Sequence, residues 1–306
     1  MQELLFTLPD DTPAAGSLAD RYIVPPVSVI DRRMRRWQDR SRRLRESLSI
    51  QSEVGRARDL TYYWGSNSQY LQVATRVGGT SIFDPALCEL AYYWYTRPGD
   101  HILDPFAGGS VRGTVAQHMG RRYTGLDIRA EQVEANRGAA TGVAPVPEWI
   151  TADSAQWLPA APHQHADLVF TCPPYGDLEV YSDDPDDLSA MPEGRFRQLY
   201  RDILTESARH LLLDRYMVVI IGDVRRRDGS YWGLPALTQQ IMVDAGLVLH
   251  SDAVILDPLG TVQMRAERPF RGSRKLGRTH QYMLVAVKGD MREATRRLPA
   301  LAGRHP

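Results

Sequence analysis

The chain has few cysteines and lacks a long apolar segment. Its 306 residues include only two cysteines, Cys88 and Cys172. Two are too few for a disulfide framework or for a zinc site built from cysteines. No apolar run reaches membrane-spanning length, and residues 1–10 lack the basic-then-apolar order of a secretory signal. These features argue against small disulfide-bonded and membrane-spanning proteins and predict a reduced, cytoplasmic protein.

An excess of charge of either sign is also lacking. The 37 basic residues balance the 37 acidic ones, so the net charge does not point to a nucleic-acid partner. The distribution is uneven, however. Residues 31–46 hold eight arginines and three acids, and residues 263–280 hold five arginines and Lys275 with one acid. Such segments can neutralise phosphates, or they can be solvated helix faces, and the sequence leaves both interpretations open.

The sequence pattern changes near position 80. Residues 1–27 are rich in proline, aspartate and small side chains, which indicates an extended arm. Apolar residues then fall at helical spacing, which predicts one amphipathic basic helix; they are Ile30, Met34, Trp37, Leu44 and Leu48. We therefore predict an N-terminal region at 1–79, a catalytic domain at 80–290 that includes a basic loop at 260–280, and a C-terminal tail at 291–306.

Strands alternate with helices after position 80. Helices are expected over residues 85–95, up to about 119, around 131–136, and over 196–213 and 234–245. Strands are expected over residues 101–104, 123–127, 149–151, 167–171, 216–221, 249–256 and 281–287. This alternation predicts an α/β fold with a seven-stranded, mostly parallel sheet and helices on both faces. Ligands of such sheets bind at the carboxyl ends of the strands.

A glycine-rich turn follows the first of these strands. The sequence there reads Asp-Pro-Phe-Ala-Gly-Gly-Ser, from Asp104 to Ser110. Glycines permit a tight turn and close approach of the backbone to a ligand, and the helix that follows presents unpaired N–H groups. A nucleotide-binding loop would look similar, but the Gly-x-Gly-x-x-Gly fingerprint and the Gly-Lys-Ser/Thr of a phosphate loop are absent.

Two acids follow the next two strands. Asp127 ends its strand 23 residues after Asp104, where a carboxylate can accept both hydroxyls of a ribose. Asp153 follows the third strand and can accept a hydrogen bond from an adenine amino group. Either acid could instead cap the helix that follows it.

Two successive prolines follow the fourth strand, in the run Thr171-Cys172-Pro173-Pro174-Tyr175. The prolines fix the backbone and remove two N–H donors, so carbonyl groups there can point outward as acceptors. An amino group that donates to such a carbonyl gains lone-pair density on nitrogen, which methyl transfer to a poor nucleophile requires. Tyr175 supplies a face on which a base rotated out of a duplex can stack.

Together these segments resemble the motifs of the DNA methyltransferases that methylate exocyclic amino groups. Asp-Pro-Phe-Ala-Gly-Gly-Ser resembles the cofactor motif of that family, and Thr-Cys-Pro-Pro-Tyr resembles its catalytic motif. Residues 81–100 look like the helix that precedes the cofactor strand. Residues 175–187, 221–225 and 274–281 look like DNA methylases of actinobacterial phages and prophages. The resemblance extends over most of residues 22–290.

The resemblance implies a Rossmann-like methyltransferase fold that binds S-adenosylmethionine. The glycine-rich turn would lie under the methionine part of this cofactor, Asp127 would hold the ribose, and Asp153 the adenine. The cofactor-binding residues predicted in this way are Asp104, Pro105, Phe106, Ala107, Gly108, Gly109, Asp127, Ile128, Asp153, Ser154 and Thr171. The predicted catalytic residues are Cys172, Pro173, Pro174 and Tyr175, and no metal ion is expected.

The sequence departs from the family pattern at two positions. Ser110 stands where the cofactor motif usually ends in glycine, and a helix N-cap tolerates serine. Cys172 stands where adenine-N6 enzymes carry Asp or Asn and many cytosine-N4 enzymes carry Ser. A thiol is a weak acceptor, so the Pro173 carbonyl would make most of the contact with the amino group. Both bases stay open. Cytosine-C5 methylation by a Cys172 nucleophile is not favoured, because those enzymes place proline before the cysteine.

The expected partner is DNA. RNA or a protein glutamine amide is the nearest alternative substrate, because enzymes that act on them also use a Pro-Pro-Tyr motif. A further alternative is a catalytically silent family member that only binds nucleic acid. No membrane partner is expected, and a homodimer is left open. His280 precedes the last strand and either faces the site or is a structural, hydrogen-bonded histidine; Asp177 either gates the base pocket or caps its loop. The predicted substrate-binding residues are Asp177, Arg265, Arg274, Lys275 and His280.

Overall fold

Alternating strands and helices build an eight-stranded sheet in a computed structural model of the chain, which describes residues 17–50, 82–140, 142–163, 165–174, 191–226, 228–260 and 262–298. Its strands are β1 (Val29–Asp31), β2 (His101–Asp104), β3 (Arg122–Asp127), β4 (Glu148–Thr151), β5 (Ala166–Thr171), β6 (Leu211–Ile221), β7 (Val248–Leu256) and β8 (His280–Lys288). Its helices are α1 (Leu18–Tyr22), α2 (Arg35–Ser47), α3 (Pro85–Tyr95), α4 (Val111–His118), α5 (Ala130–Ala139), α6 (Ser154–Ala160), α7 (Glu193–His210), α8 (Leu234–Asp244), α9 (Val262–Ser273) and α10 (Met291–Arg296).

The strands lie in the order β1-β7-β8-β6-β5-β2-β3-β4, and all except β8 run parallel. The chain moves outward from β2 to β3 and β4 on one side, and then returns to place β5 on the other side of β2. The reversal of strand order therefore falls between β2 and β5, where ligands of doubly wound sheets bind. The predicted Rossmann-like α/β fold is confirmed, with eight strands rather than seven.

Alternate side chains of the central strands enter two separate cores. Ile102, Leu168 and Val218 point to a core formed with α2, α3 and α4. Their neighbours Leu103 and Val169 point to the opposite core, formed with α6, α7 and α8. Both faces of the sheet are thus covered, as the near-continuous apolar runs of these strands predict.

The N-terminal region differs from its prediction. Ile30 belongs to β1, which pairs with β7 as an edge strand, so the basic helix begins only at Arg35. Residues 17–27 include the short helix α1, where an extended arm was predicted. The side chains of Trp37 and Leu44 are buried in the same core as α3, which places α2 against the body of the protein.

Three other predictions need correction. Residues 211–213 begin β6 rather than ending the preceding helix, because a run of leucines fits either period. The segment predicted as a basic loop contains helix α9, although Pro269 and Gly272 lie inside it. The predicted tail contains α10, which Asp290 caps by accepting from the backbone N–H groups of Arg292 and Glu293. Among the described helices, none has both the length and the apolar composition needed to cross a membrane.

Candidate functional site

Asp104, at the carboxyl end of β2, is the centre of a buried hydrogen-bond network. Its carboxylate accepts from the backbone N–H of Phe106 (3.1 Å), the Tyr123 hydroxyl (2.8 Å), the Thr171 hydroxyl (2.7 Å) and the guanidinium of Arg112. The side chains of Asp104 and Thr171 are fully buried. The structure therefore places these two predicted cofactor residues inside the protein, where they join the glycine-rich turn to the strand that precedes the Pro-Pro turn.

Arg112 is a residue of this network that the sequence reasoning missed. Its guanidinium donates to Asp104, to the carbonyl of Phe106 and to the carbonyl of Ala107 (2.7 Å), and it lies over the ring of Phe83 at 4.8 Å. Burial lowers the pKa of Arg112, but the charge and hydrogen bond of Asp104, together with Tyr123 and Cys172, outweigh burial and raise this pKa well above its usual value. The available signal was its position early in a helix whose neighbouring residues, such as Val111 and Gly113, are small or apolar.

Asp127 anchors the glycine-rich turn from the side of β3. One carboxylate oxygen accepts from the backbone N–H of Gly108 (2.9 Å), and the other accepts from that of Arg129 (2.9 Å). Asn136 on α5 donates to the carbonyl of Gly108 (2.7 Å), which adopts a φ of 51° that favours glycine. Asp127 is only partly buried, and the Nε of Arg129 lies 3.5 Å from one of its carboxylate oxygens. Ile128 beside it is also partly buried.

Asp153 acts as the N-cap of α6. Its carboxylate accepts from the backbone N–H of Ala155 (2.9 Å) and from the side-chain amide of Gln156 (3.0 Å), so the capping alternative describes this structure. The neighbouring Ser154 is buried and donates from its hydroxyl to the carbonyl of Pro105 (2.6 Å). Hydrogen bonds thus link the turn at residues 105–110 and the adjoining Asp104 to the carboxyl ends of β2, β3, β4 and β5.

The Pro-Pro turn begins directly after this network. Cys172 is partly buried and packs against the core on the α2–α3 face, Pro173 is buried, and Pro174 is partly buried. Ser110, at the start of α4, makes no side-chain capping bond. Tyr175 and Asp177 lie outside the described residues.

The remaining predicted substrate residues lie at the same edge of the sheet but farther along it. His280 begins β8 beside the carboxyl ends of β6 and β7. Its Nε2 lies 3.2 Å from the Tyr282 hydroxyl and 3.3 Å from the guanidinium of Arg278, which matches the structural alternative for this histidine. Burial and the charge of Arg278 both lower the pKa of His280, which favours the neutral ring.

The basic residues predicted to contact substrate lie on α9 and the segment after it. Arg265 is exposed on the helix. Arg274 lies over the ring of Phe270 at 5.3 Å, and the side chain of Lys275 runs beside Gly229. These side chains are separate from the network around Asp104, so the structure does not bring all the predicted site residues into one cluster.

Comparison with known proteins adds a family match over part of the chain. Residues 38–137 match a family model described as a DNA methylase, and this range includes the glycine-rich turn, Arg112 and Asp127. The chain is 45% identical over 42 residues to the type II methyltransferase M2.DpnII of Streptococcus pneumoniae, covering 14% of this chain and 16% of that protein. It is 39% identical over 51 residues to the type II methyltransferase M.XycI of Xanthomonas campestris pv. cyanopsidis, covering 17% of each.

A solved structure shows a distant likeness. Geranyl diphosphate C-methyltransferase from Streptomyces coelicolor A3(2) is similar at a TM-score of 0.47 and 16% identity, over 82% of this chain and 97% of that one.

The part of the chain that aligns with the two type II methyltransferases spans about a sixth of their length. The family match and these relatives support the predicted relation to the amino-methylating methyltransferases.

Proposed function

We propose that this chain is an S-adenosylmethionine-dependent DNA methyltransferase that acts on an exocyclic amino group, the N4 of cytosine or the N6 of adenine. The observation that carries the proposal is the double role of Asp104. One buried carboxylate holds both the glycine-rich turn and the strand that leads into the Pro-Pro turn, at the point where strand order reverses. A methyl donor and an acceptor amino group bound at these two turns would therefore meet.

The residues present fit the cofactor. The turn at residues 106–109 is held close to β3 with Gly108 in a glycine-favouring conformation, so a ligand can approach its backbone. Asp127 would accept from ribose hydroxyls and Asp153 from an adenine amino group, and both also accept from backbone N–H groups. Asp104, Arg112 and Thr171 hold the turn in place from inside the protein. When bound, S-adenosylmethionine supplies the activated methyl group.

The acceptor side of the reaction uses the Pro-Pro turn. The base amino group donates to the Pro173 carbonyl with Cys172 beside it, and Tyr175 stacks on the base rotated out of the duplex. Holding the amino nitrogen in line with the methyl group supplies the orientation that the transfer needs. Asp177 gates the base pocket, and Arg265, Arg274 and Lys275 contact the DNA.

The sequence also supports placing the chain in one branch of the amino-methylating methyltransferases. Residues 221–225 and 274–281 resemble the methylases of actinobacterial phages and prophages, and we place the chain in that branch. Residues 80–290 act as the catalytic domain, preceded by the N-terminal region at 1–79.

The test is mass spectrometry of nucleosides from DNA incubated with the protein and isotope-labelled S-adenosylmethionine. The expected result is label in N4-methylcytosine or in N6-methyladenine, which also identifies the base. Asp127→Ala should lower cofactor affinity, whereas Pro173→Ala should lower transfer while the cofactor still binds. Cofactor binding without label in DNA would overturn the proposal and favour RNA, a protein amide or a silent binder.

A further inference from the structure

Helix α9 lies on the surface along its whole length. None of its residues is buried, and Met264 is 84% exposed. The helix lies between β7 and β8, so it begins and ends near the sheet edge that holds the Asp104 network. Leu276, just after the helix, is 70% exposed. A surface helix with exposed apolar side chains of this size is typical of a binding surface.

One side of α9 packs against the segment that follows the helix. Val262 and Ala266 pack against Gly277, where an added Cβ would lie 2.7 Å from the Val262 side chain and 3.3 Å from that of Ala266. Phe270 follows four residues after Ala266 and lies under the guanidinium of Arg274. Because residues four apart lie one above the other on a helix, these three side chains form one stripe.

The opposite side of α9 carries a row of arginines. Arg265, Arg268 and Arg271 are three residues apart, which spreads them over about 120° of the helix circumference. The centre of this row lies about 160° from the centre of the stripe formed by Val262, Ala266 and Phe270, at 100° per residue. Glu267, the one acid of the helix, pairs with Arg271 at 2.6 Å. The row therefore lies on the side of the helix opposite that stripe, and its three arginines are exposed.

A second basic group stands beside the helix. Arg225 and Tyr231 face each other across the turn that follows β6, and the guanidinium of Arg225 lies 3.9 Å from the centre of the Tyr231 ring. The guanidinium of Arg278 lies 4.9 Å from the same ring. Tyr231 thus holds two cations from separate segments together, and the side chain of Lys275 runs beside the same turn.

We infer that α9 is the sequence-reading element of the protein, and that its arginine row enters the major groove of duplex DNA. The major groove is wide enough for one helix, and arginine is the residue that reads guanine edges there with two hydrogen bonds. Arg225, Arg278 and Lys275 lie beside the helix as phosphate contacts, which fix its register on the duplex. This inference rests on the proposed function and names the part of the chain that selects the methylated site.

The test compares two double variants. Arg265→Gln with Arg268→Gln removes charge from α9, and Arg35→Gln with Arg42→Gln removes it from α2, where both arginines are exposed and pair with Asp39. Each protein is titrated with a 30-base-pair random-sequence duplex over a range of salt concentrations. Each also methylates bacterial genomic DNA, in which the modified positions are mapped by sequencing, and cofactor affinity is measured separately.

The α9 variant should bind the duplex at least tenfold more weakly, with a smaller salt slope. It should also methylate a relaxed set of sites with unchanged cofactor affinity. The α2 variant should match the wild type within about twofold and keep its sites. Unchanged duplex affinity and unchanged sites in the α9 variant would overturn the inference while leaving the proposed function standing. A wild-type protein that labels no DNA would overturn both.

Discussion

The two basic regions of the chain have the same excess of five basic residues over acidic ones and different surroundings. On the N-terminal side, Arg32 pairs with Asp84 and Asp257, and Arg40 pairs with Glu89. On α9, within the described part of the chain, Arg268 makes no ion pair and Arg271 pairs only with its helix neighbour Glu267. The first region uses its charge to hold the fold together, whereas the second presents its charge to the surroundings.

The difference follows from acids that are distant in sequence. Asp84 accepts hydrogen bonds from Arg32 (2.8 Å), the Trp37 indole (2.7 Å) and the Ser41 hydroxyl (2.8 Å), and it also caps α3. A count of charges along the chain cannot show this, because Asp84 lies 43 to 52 positions away from those partners. The structure thus favours packing over phosphate binding for the region at residues 31–46.

The largest effect on stability is expected at Asp84, which binds three residues of the N-terminal basic region. Asp84→Ala should lower the free energy of unfolding by about 3–5 kcal/mol, because it leaves Arg32 and the Trp37 indole without their buried partner. Urea unfolding followed by circular dichroism measures this. Asp39→Ala is the control, since Asp39 pairs only with exposed arginines and should cost less than about 1 kcal/mol. Equal losses for the two variants would contradict the packing role of this region.

Arg112 extends the comparison to a fully buried arginine. Arg112→Lys keeps the charge but cannot reach Asp104 and two carbonyls at once, so the glycine-rich turn should loosen. We expect affinity for S-adenosylmethionine to fall about tenfold, or about 1.4 kcal/mol, in a calorimetric titration.

Arg121→Lys is the matched control for Arg112, because Arg121 is equally buried and bonds to Thr96 and Met119 away from the turn. It should reduce stability without changing cofactor affinity. Cofactor affinity that falls equally in both variants would show that Arg112 acts only through overall stability.

A smaller effect is expected at the ring that holds two arginines beside α9. Tyr231→Leu removes the stacking surface of Arg225 and Arg278 and should weaken duplex binding by about 0.5–1 kcal/mol. Tyr231→Phe keeps the ring and loses only the hydroxyl bond with Arg225, so it should retain most of the affinity. Fluorescence anisotropy with a labelled duplex distinguishes them, and equal losses would rule out stacking as the cause.

A gradual change in the stability of the fold is expected as the pH falls. Arginines stay charged, so the arginines of both basic regions do not change between pH 8 and pH 5.5. At the opposite edge of the sheet, burial lowers the pKa values of His101 and His210 below 6.5. Because the unfolded chain binds protons more readily, stability is full above pH 6.5 and declines as the pH falls toward the lowered pKa values.

Urea unfolding at several pH values measures this decline. His210→Gln, which keeps a donor for the Leu158 carbonyl, should flatten part of the curve. An unchanged curve in that variant would exclude His210 as a source of the pH dependence.

The succession of strands and helices along the chain and the position of the site edge could be predicted from sequence because both depend on local pattern. Buried strands appear as short apolar runs, and the motif residues follow them directly. The contacts of Asp104 could not be predicted, since Thr171 is 67 positions away and its hydroxyl meets the carboxylate only after β2 and β5 pair. Helix α9 was missed because Pro269 and Gly272 interrupt its pattern, and β1 was missed because three residues are too few to show a strand period.

The reversed direction of β8 has a consequence for how such proteins can diverge. Because β8 runs against its neighbours, it begins at the edge where β7 ends, and Leu256 faces His280 across the pair. The backbone N–H of Asp257 donates to the carbonyl of Thr279 (2.9 Å), which closes the neck of the excursion that carries α9. An insertion with a closed neck can change in length and sequence without moving the strands beneath it. A change in the length or sequence of this segment is therefore expected to leave the pairing of β7 with β8 in place.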